Sequence, residues 1–289
     1  MTLPSRADLS LLRRWVAARI RLTLRNPRVL VFTFVFPLIL LTVFSALNSG
    51  ERVAAMGEAG GKVAFAQFYT PSIGIFGLAS ACYTGVVFGI ASARDAGLLK
   101  RVRGTPLPMS IYLGSWLTGA ALTGIASVVL LFAVAVPAFD VHVYARMLPA
   151  ALVTLALGAA TLAALGLAVA SLVRTADQAI PVAQLTFLPL AFISGIFYPL
   201  DGAPDWVVHV AHAFPLFHIV NAFDACFVPQ TAGGGWSANY LAAIAVWGVI
   251  GLIVAARRFR TEPVTGDGRA RRALPRREAA AGHTSRGSQ

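Results

Sequence analysis

Charge is what this sequence has least of. Asp, Glu, Lys and Arg make up 12% of its 289 residues, against about 25% in a soluble domain. Hydrophobic residues take 57%, and mean hydropathy is +0.72. That excludes an ordinary soluble core and points to a polytopic membrane protein. Acidic residues are the scarcer sign, 12 against 24 basic, leaving a net charge of +12. The basic excess gathers at both ends and in one loop, with no interleaved aromatics. It therefore reads as charge facing a cytoplasmic leaflet, not as a nucleic-acid surface. The two cysteines, Cys82 and Cys226, make no disulfide framework and read as small buried hydrophobes.

Catalytic and energy-coupling signatures are missing as well. No phosphate loop of the form GxxxxGK[ST] occurs, and the nearest match, Gly61-Lys62, is followed by Val63. The chain is expected to have no ATPase of its own. Residues 29–47 and 111–138 contain no Asp, Glu, Lys, Arg or His. Ion-coupled transporters keep such groups near the midplane, so their absence says that energy enters from elsewhere. It also disfavours an intramembrane hydrolase that uses a carboxylate. No HExxH pattern accompanies the His209/His212 pair or His218. A metal is conceivable, since i and i+3 share a helix face, but polar groups that satisfy short helix ends are the preferred reading. No small-residue cleavage site follows the first apolar run, which exceeds the roughly 7–15 residues of a cleaved signal. It is read as a retained span.

What is present is a series of apolar runs. A membrane helix needs about 20 residues, and six runs qualify: 29–47, 68–92, 111–138, 148–173, 179–198 and 239–256. Twenty-one of the 24 lysines and arginines fall before the first run, after the second, after the fourth or after the sixth. The other three are Arg52, Lys62 and Arg146. Basic residues stay inside, so both termini are expected in the cytoplasm. Residues 206–227 are also apolar but carry His209, His212, Pro215, His218, Asn221 and Asp224. A seventh span would bury these groups and send the basic tail outside. Two half-helices broken at Pro215 and dipping into the outer leaflet are expected instead. Gly85/Gly89, Ser115/Gly119 and Gly248/Gly251 are read as close helix packing, with a substrate path as the sharper alternative. Pro37, Pro181 and Pro189 predict kinks in spans one and five.

The organisation is therefore a cytoplasmic arm (1–28), a transmembrane domain (29–256) and a basic, disordered tail (257–289). In the arm, Leu9, Leu12, Val16 and Ile20 share one face, opposite Ser10, Arg14, Arg21 and Arg25. This predicts an amphipathic helix at the membrane interface, either a topology anchor or a lever on the first span. Between spans two and three lies "ARDAGLLKRVRGTPLP". Leu98, Leu99 and Val102 can line one face of a short helix beside Lys100, Arg101 and Arg103. Gly104 is expected to end it and Pro106 to fix the turn. A rigid, exposed helix there suits docking onto a soluble partner better than a slack topology loop does.

At these residues the sequence resembles the membrane subunits of ABC-2 type exporters, most closely the daunorubicin-resistance and nodulation-factor-export permeases. That family carries a segment of roughly ERGxLxRLxxTPL at this place, matched here from Arg94 through Leu107. Asp95 stands in place of the usual glutamate and Ala96 in place of an arginine. Residues 24–45, 192–207 ("FISGIFYPLDGAPDWV") and 256–263 ("ARRFRTEP") resemble other parts of the family, although Thr261 stands where an aromatic is common. The similarity covers about residues 10–263. It implies an all-α, six-span permease in a bacterial plasma membrane, with ATP bound by a separate ABC ATPase subunit and no cofactor of its own. A second permease copy, identical or related, would complete it, and an amphipathic drug, lipid or glycolipid would be moved outward. The resemblance also implies that Arg94, Asp95, Gly97, Leu98, Leu99, Lys100, Arg101, Arg103, Gly104, Thr105 and Pro106 couple the chain to the ATPase, with the N-terminal helix as second contact. The alternatives are a lipid-modifying enzyme or assembly scaffold and, less favoured, an ion-coupled transporter.

Overall fold

The computed structural model describes residues 6–54, 62–105, 108–173, 175–198, 200, 203–228 and 232–261. They are almost all helical. Helix α1 (Arg6–Leu24) ends before Asn26, and helical backbone resumes at Pro27 and runs on into α2 (Val31–Leu47). A two-stranded antiparallel hairpin follows, β1 (Arg52–Ala54) with β2 (Lys62–Ala64), Arg52 opposite Ala64. Then come α3 (Phe65–Asp95), the six-residue α4 (Leu98–Arg103), α5 (Met109–Phe139), α6 (Ala145–Ala170) and α7 (Ala176–Ile193). Two short helices, α8 (Asp205–His212) and α9 (Pro215–Phe227), precede α10 (Ala238–Thr261).

Five helices, α3, α5, α6, α7 and α10, are long and apolar enough to cross a membrane. The sixth, α2, has 17 residues of its own, and the continuous helical run from Pro27 brings it to about 30 Å at 1.5 Å per residue. The chain is an all-α, multi-pass membrane protein. The α8–α9 pair is bent by 94°, so it is not one straight crossing. Pro215 sits in the first turn of α9, where its missing N–H costs nothing. This is the break expected from the sequence. Span five is shorter than expected, because Ser194 caps α7 and Gly195 then adopts φ +83.

Helix α3 is the spine. Nearly every residue from Phe65 to Cys82 is buried, while α7 and α10 keep most of their surface outward. Close approach depends on glycine. Added side-chain carbon at Gly166 would meet the Tyr83 carbonyl oxygen at 2.8 Å, and at Gly248 it would meet Thr161 Oγ1 at 2.7 Å. These contacts lock α6 onto α3 and α10 onto α6. Thr161 also donates to the Ile244 carbonyl at 3.0 Å. The small-residue spacing therefore serves packing at Gly89, Gly119, Gly248 and Gly251.

Proline shapes α2. Pro37 has no N–H to offer the carbonyl of Thr33, four residues back, and the ladder there loosens into a π-turn at Val31–Val35. The Ser127 hydroxyl of α5 donates to that Thr33 carbonyl instead. A second π-turn, Ser80–Thr84, interrupts α3. Neither π-turn was expected from the sequence, nor were Pro71 and Pro137 noted as lying inside helices.

Candidate functional site

The helices form two ends. One, here the basic end, carries α1, α4, the α6–α7 turn and the close of α10. The far end carries the hairpin, the α5–α6 connection and α8–α9.

At the basic end, α3 does not simply run out. Its last turn holds Arg94 and Asp95, and both reach across to another connection. Arg94 Nη1 donates to the carbonyls of Ala170 (3.3 Å) and Val173, at the close of α6. The Asp95 carboxylate accepts from the Ala176 N–H, the first amide of α7, at 2.6 Å. Thr175 makes no side-chain cap of its own, so Asp95 caps α7 from outside its chain segment. A cation on helix-end carbonyls and an anion on a helix-start amide both agree with the helix dipoles. This is what an aspartate does in place of a glutamate here.

The chain then turns at Gly97, φ +68, where a side chain is disfavoured. Gly104 closes α4, as expected, with ordinary right-handed dihedrals. The Thr105 hydroxyl fastens the end by donating to the Val102 carbonyl at 2.7 Å. Val102 is buried and Leu98 half-buried against the bundle, whereas Arg101, Gly104 and Thr105 are exposed. Leu99, Lys100 and Arg103 belong to the α4 backbone, but their side chains, like Pro106, lie outside the described residues. The short amphipathic helix read from the sequence is therefore present, and Arg101 stands on its outer side.

Helix α1 is held against α5. Leu12 approaches Gly114, Val16 is buried, and Ile20 lies near Thr118 and Leu122. The Leu9 side chain is outside the described residues. Two further contacts were not expected. Trp15 meets Tyr112 edge-on, with centroids 5.9 Å apart. Arg19 lies over the Trp116 ring, its Cζ 3.0 Å from the centroid, and packs on Gly119. The spacing Leu12–Trp15–Val16–Arg19 was legible as a helical face, but an arginine is not counted as apolar on a wheel.

The far end is closed differently. Gln67 is buried, and its amide donates to the carbonyls of His142 (3.0 Å) and Phe227 (2.9 Å) while accepting the His142 N–H (2.8 Å). One side chain thus ties α3, the α5–α6 connection and the end of α9. Phe132, Phe223 and Phe227 stack beside it, Phe132 and Phe227 at 4.7 Å. His218 satisfies a helix end, as expected, donating to the carbonyl of His212 at the close of α8 at 2.9 Å, whereas His209 donates within α8, to Asp205 at 2.6 Å. Among the described residues no cluster of His, Cys, Asp and Glu could hold a metal. Cys82 and Cys226 are free and buried.

A bundle with a short helix between its second and third spans, beside a packed N-terminal helix, makes this a multi-pass, all-α membrane protein. The model of the ABC-2 type transporter family matches residues 11–228, and the chain belongs to that family. It is similar to the inner membrane transport permease YadH of Escherichia coli strain K12, 23% identical over 71% of this chain and 78% of that one. The YadH proteins of Escherichia coli O157:H7 and Shigella flexneri match to the same extent.

Proposed function

We propose that the chain is the membrane-spanning subunit of an ATP-driven exporter. It pairs with a second permease copy, identical or related, and with separate ABC ATPase subunits. It sits in a bacterial plasma membrane with both termini and the basic end in the cytoplasm. An amphipathic drug, lipid or glycolipid is the cargo, moved outward.

The observation that supports this reading is the linkage of α4. Arg101 stands outward, Gly97 fixes the angle, and Arg94 and Asp95 bond to the α6–α7 turn. A push on α4 therefore reaches the ends of three spans at once, α3, α6 and α7. Closure of an ATPase pair supplies such a push, and the span tilt that follows changes which side the bundle opens to. Residues 94–106 form the coupling surface, and α1 is the second contact.

Two measurements test this. Purification in mild detergent should bring down a stoichiometric soluble ATPase; its consistent absence would return the chain to a lipid-modifying enzyme or a scaffold. Arg101→Glu with Arg103→Glu should insert normally yet lose ATP-driven efflux. Normal efflux by that variant would sink the coupling assignment.

A further inference from the structure

A cavity of about 320 Å³ lies at the basic end between α1, α3 and α5, within the roughly 300–1,000 Å³ range of ligand sites. Most of its wall is apolar, with Leu22, Val29 and Phe88 among the lining residues. Its polar lining is Arg19, Thr23, Asn26, Ser92 and Thr123, with no carboxylate among them. Arg19 is part of the wall, and its guanidinium is pushed down to about 10 by burial, with Tyr112 opposing the shift. It remains protonated at neutral pH. Two further lining residues carry buried donors without an acceptor: the Trp116 indole N–H and the Ser92 hydroxyl. The partner acting on Arg19 is a tyrosine, not a carboxylate.

Arg19 is a half-buried cation whose partners are an indole ring and a tyrosine, which leaves demand for an anion. An entering anion accepts charge-assisted hydrogen bonds from the Arg19 guanidinium. The apolar wall would take a hydrocarbon chain. We infer that this cavity binds an anionic amphiphile, its phosphate or carboxylate head at Arg19, its chain along Leu22, Val29 and Phe88. That the amphiphile is cargo rests on the export reading above; that it is held does not. The backbone helps to keep the space open. Gly89 is taken by the Trp116 ring, whose nearest atom would lie 2.1 Å from an added side-chain carbon. Gly85, by contrast, borders the cavity and would offer such a carbon only the Ser80 carbonyl oxygen, at 3.4 Å. A larger residue at Gly85 fits the helix and fills the cavity.

The test is photolabelling of the full chain in nanodiscs, with the labelled peptides mapped by mass spectrometry. Phosphatidylglycerol and phosphatidylcholine carrying the same photoreactive chain are compared. The phosphatidylglycerol probe should label α1, α3 and α5 about tenfold more, the scale of a charge-assisted hydrogen bond. Arg19→Gln should erase that preference, Arg19→Lys should keep it, and Arg21→Gln on the exposed face should leave it alone. Gly85→Leu should reduce labelling by both probes and so decides the matter if Arg19→Gln fails to fold. Dodecyl phosphate that displaces the label marks a site open to single-chain anions. Labelling that resists it marks a resident bilayer lipid, and both outcomes support an anionic amphiphile. Equal labelling by the two phospholipids, or a preference that survives in folded Arg19→Gln, overturns the inference. Neither result bears on export, which fails separately if ATP-driven efflux is absent.

Discussion

The two ends of the bundle are fastened with opposite chemistry. At the far end, Gln67 makes three neutral hydrogen bonds, one of them to Phe227 of an aromatic cluster. At the basic end, Arg94 makes part-buried charge-assisted bonds to the close of α6, and Asp95 makes an exposed one to the start of α7. Buried amide bonds are expensive to break, because every freed partner loses water as well. The Asp95 bond is exposed, exchanges with water and breaks cheaply, whereas the Arg94 bonds are part-buried. The far end is thus a clamp of neutral bonds, and the basic end a joint of charged bonds whose exposed member is that of Asp95.

Breaking the clamp should produce the largest effect. Gln67→Ala strands the His142 N–H and two carbonyls, and should cost about 3 kcal/mol, read as a fall in the thermal unfolding midpoint in detergent. An unchanged midpoint would show that the far end is not fastened there. Gly97→Val forces a branched side chain into a left-handed turn and should cost about 1–2 kcal/mol. Its stability loss should come with loss of efflux, since α4 is re-aimed. Asp95→Ala removes only the outside cap on α7, about 1 kcal/mol, so the midpoint should barely move while efflux falls steeply. If stability and efflux fell in proportion, the basic end would be a clamp like the other. Arg21→Gln, on the exposed face of α1, should change stability by less than about 0.5 kcal/mol.

Much of this architecture is legible in the sequence, for a plain reason. Span positions and the break at Pro215 follow from local composition, and lipid leaves few alternatives to helices. The helix from Leu98 was legible from its alternation and its glycines. What Arg94 and Asp95 hold was not legible, because their partners lie some 80 residues away and are main-chain groups without sequence identity. Gln67 stayed hidden for the same reason. Arg19 was hidden by its charge, which a wheel assigns to water although here it covers Trp116.

The Pro37–Ser127 pairing carries a consequence for the order in which changes can accumulate. Thr33 has one carbonyl, and the chain has two ways to satisfy it: the N–H of a non-proline residue at 37, or the hydroxyl at 127. Ser127→Ala alone orphans the carbonyl. Pro37→Ala alone gives it a donor within its own helix and leaves the serine redundant. Ser127→Ala made after Pro37→Ala should therefore be nearly silent, whereas the same change made first should be harmful. The two positions, 90 residues apart, form a ratchet: a lineage that gains the proline can no longer discard the serine.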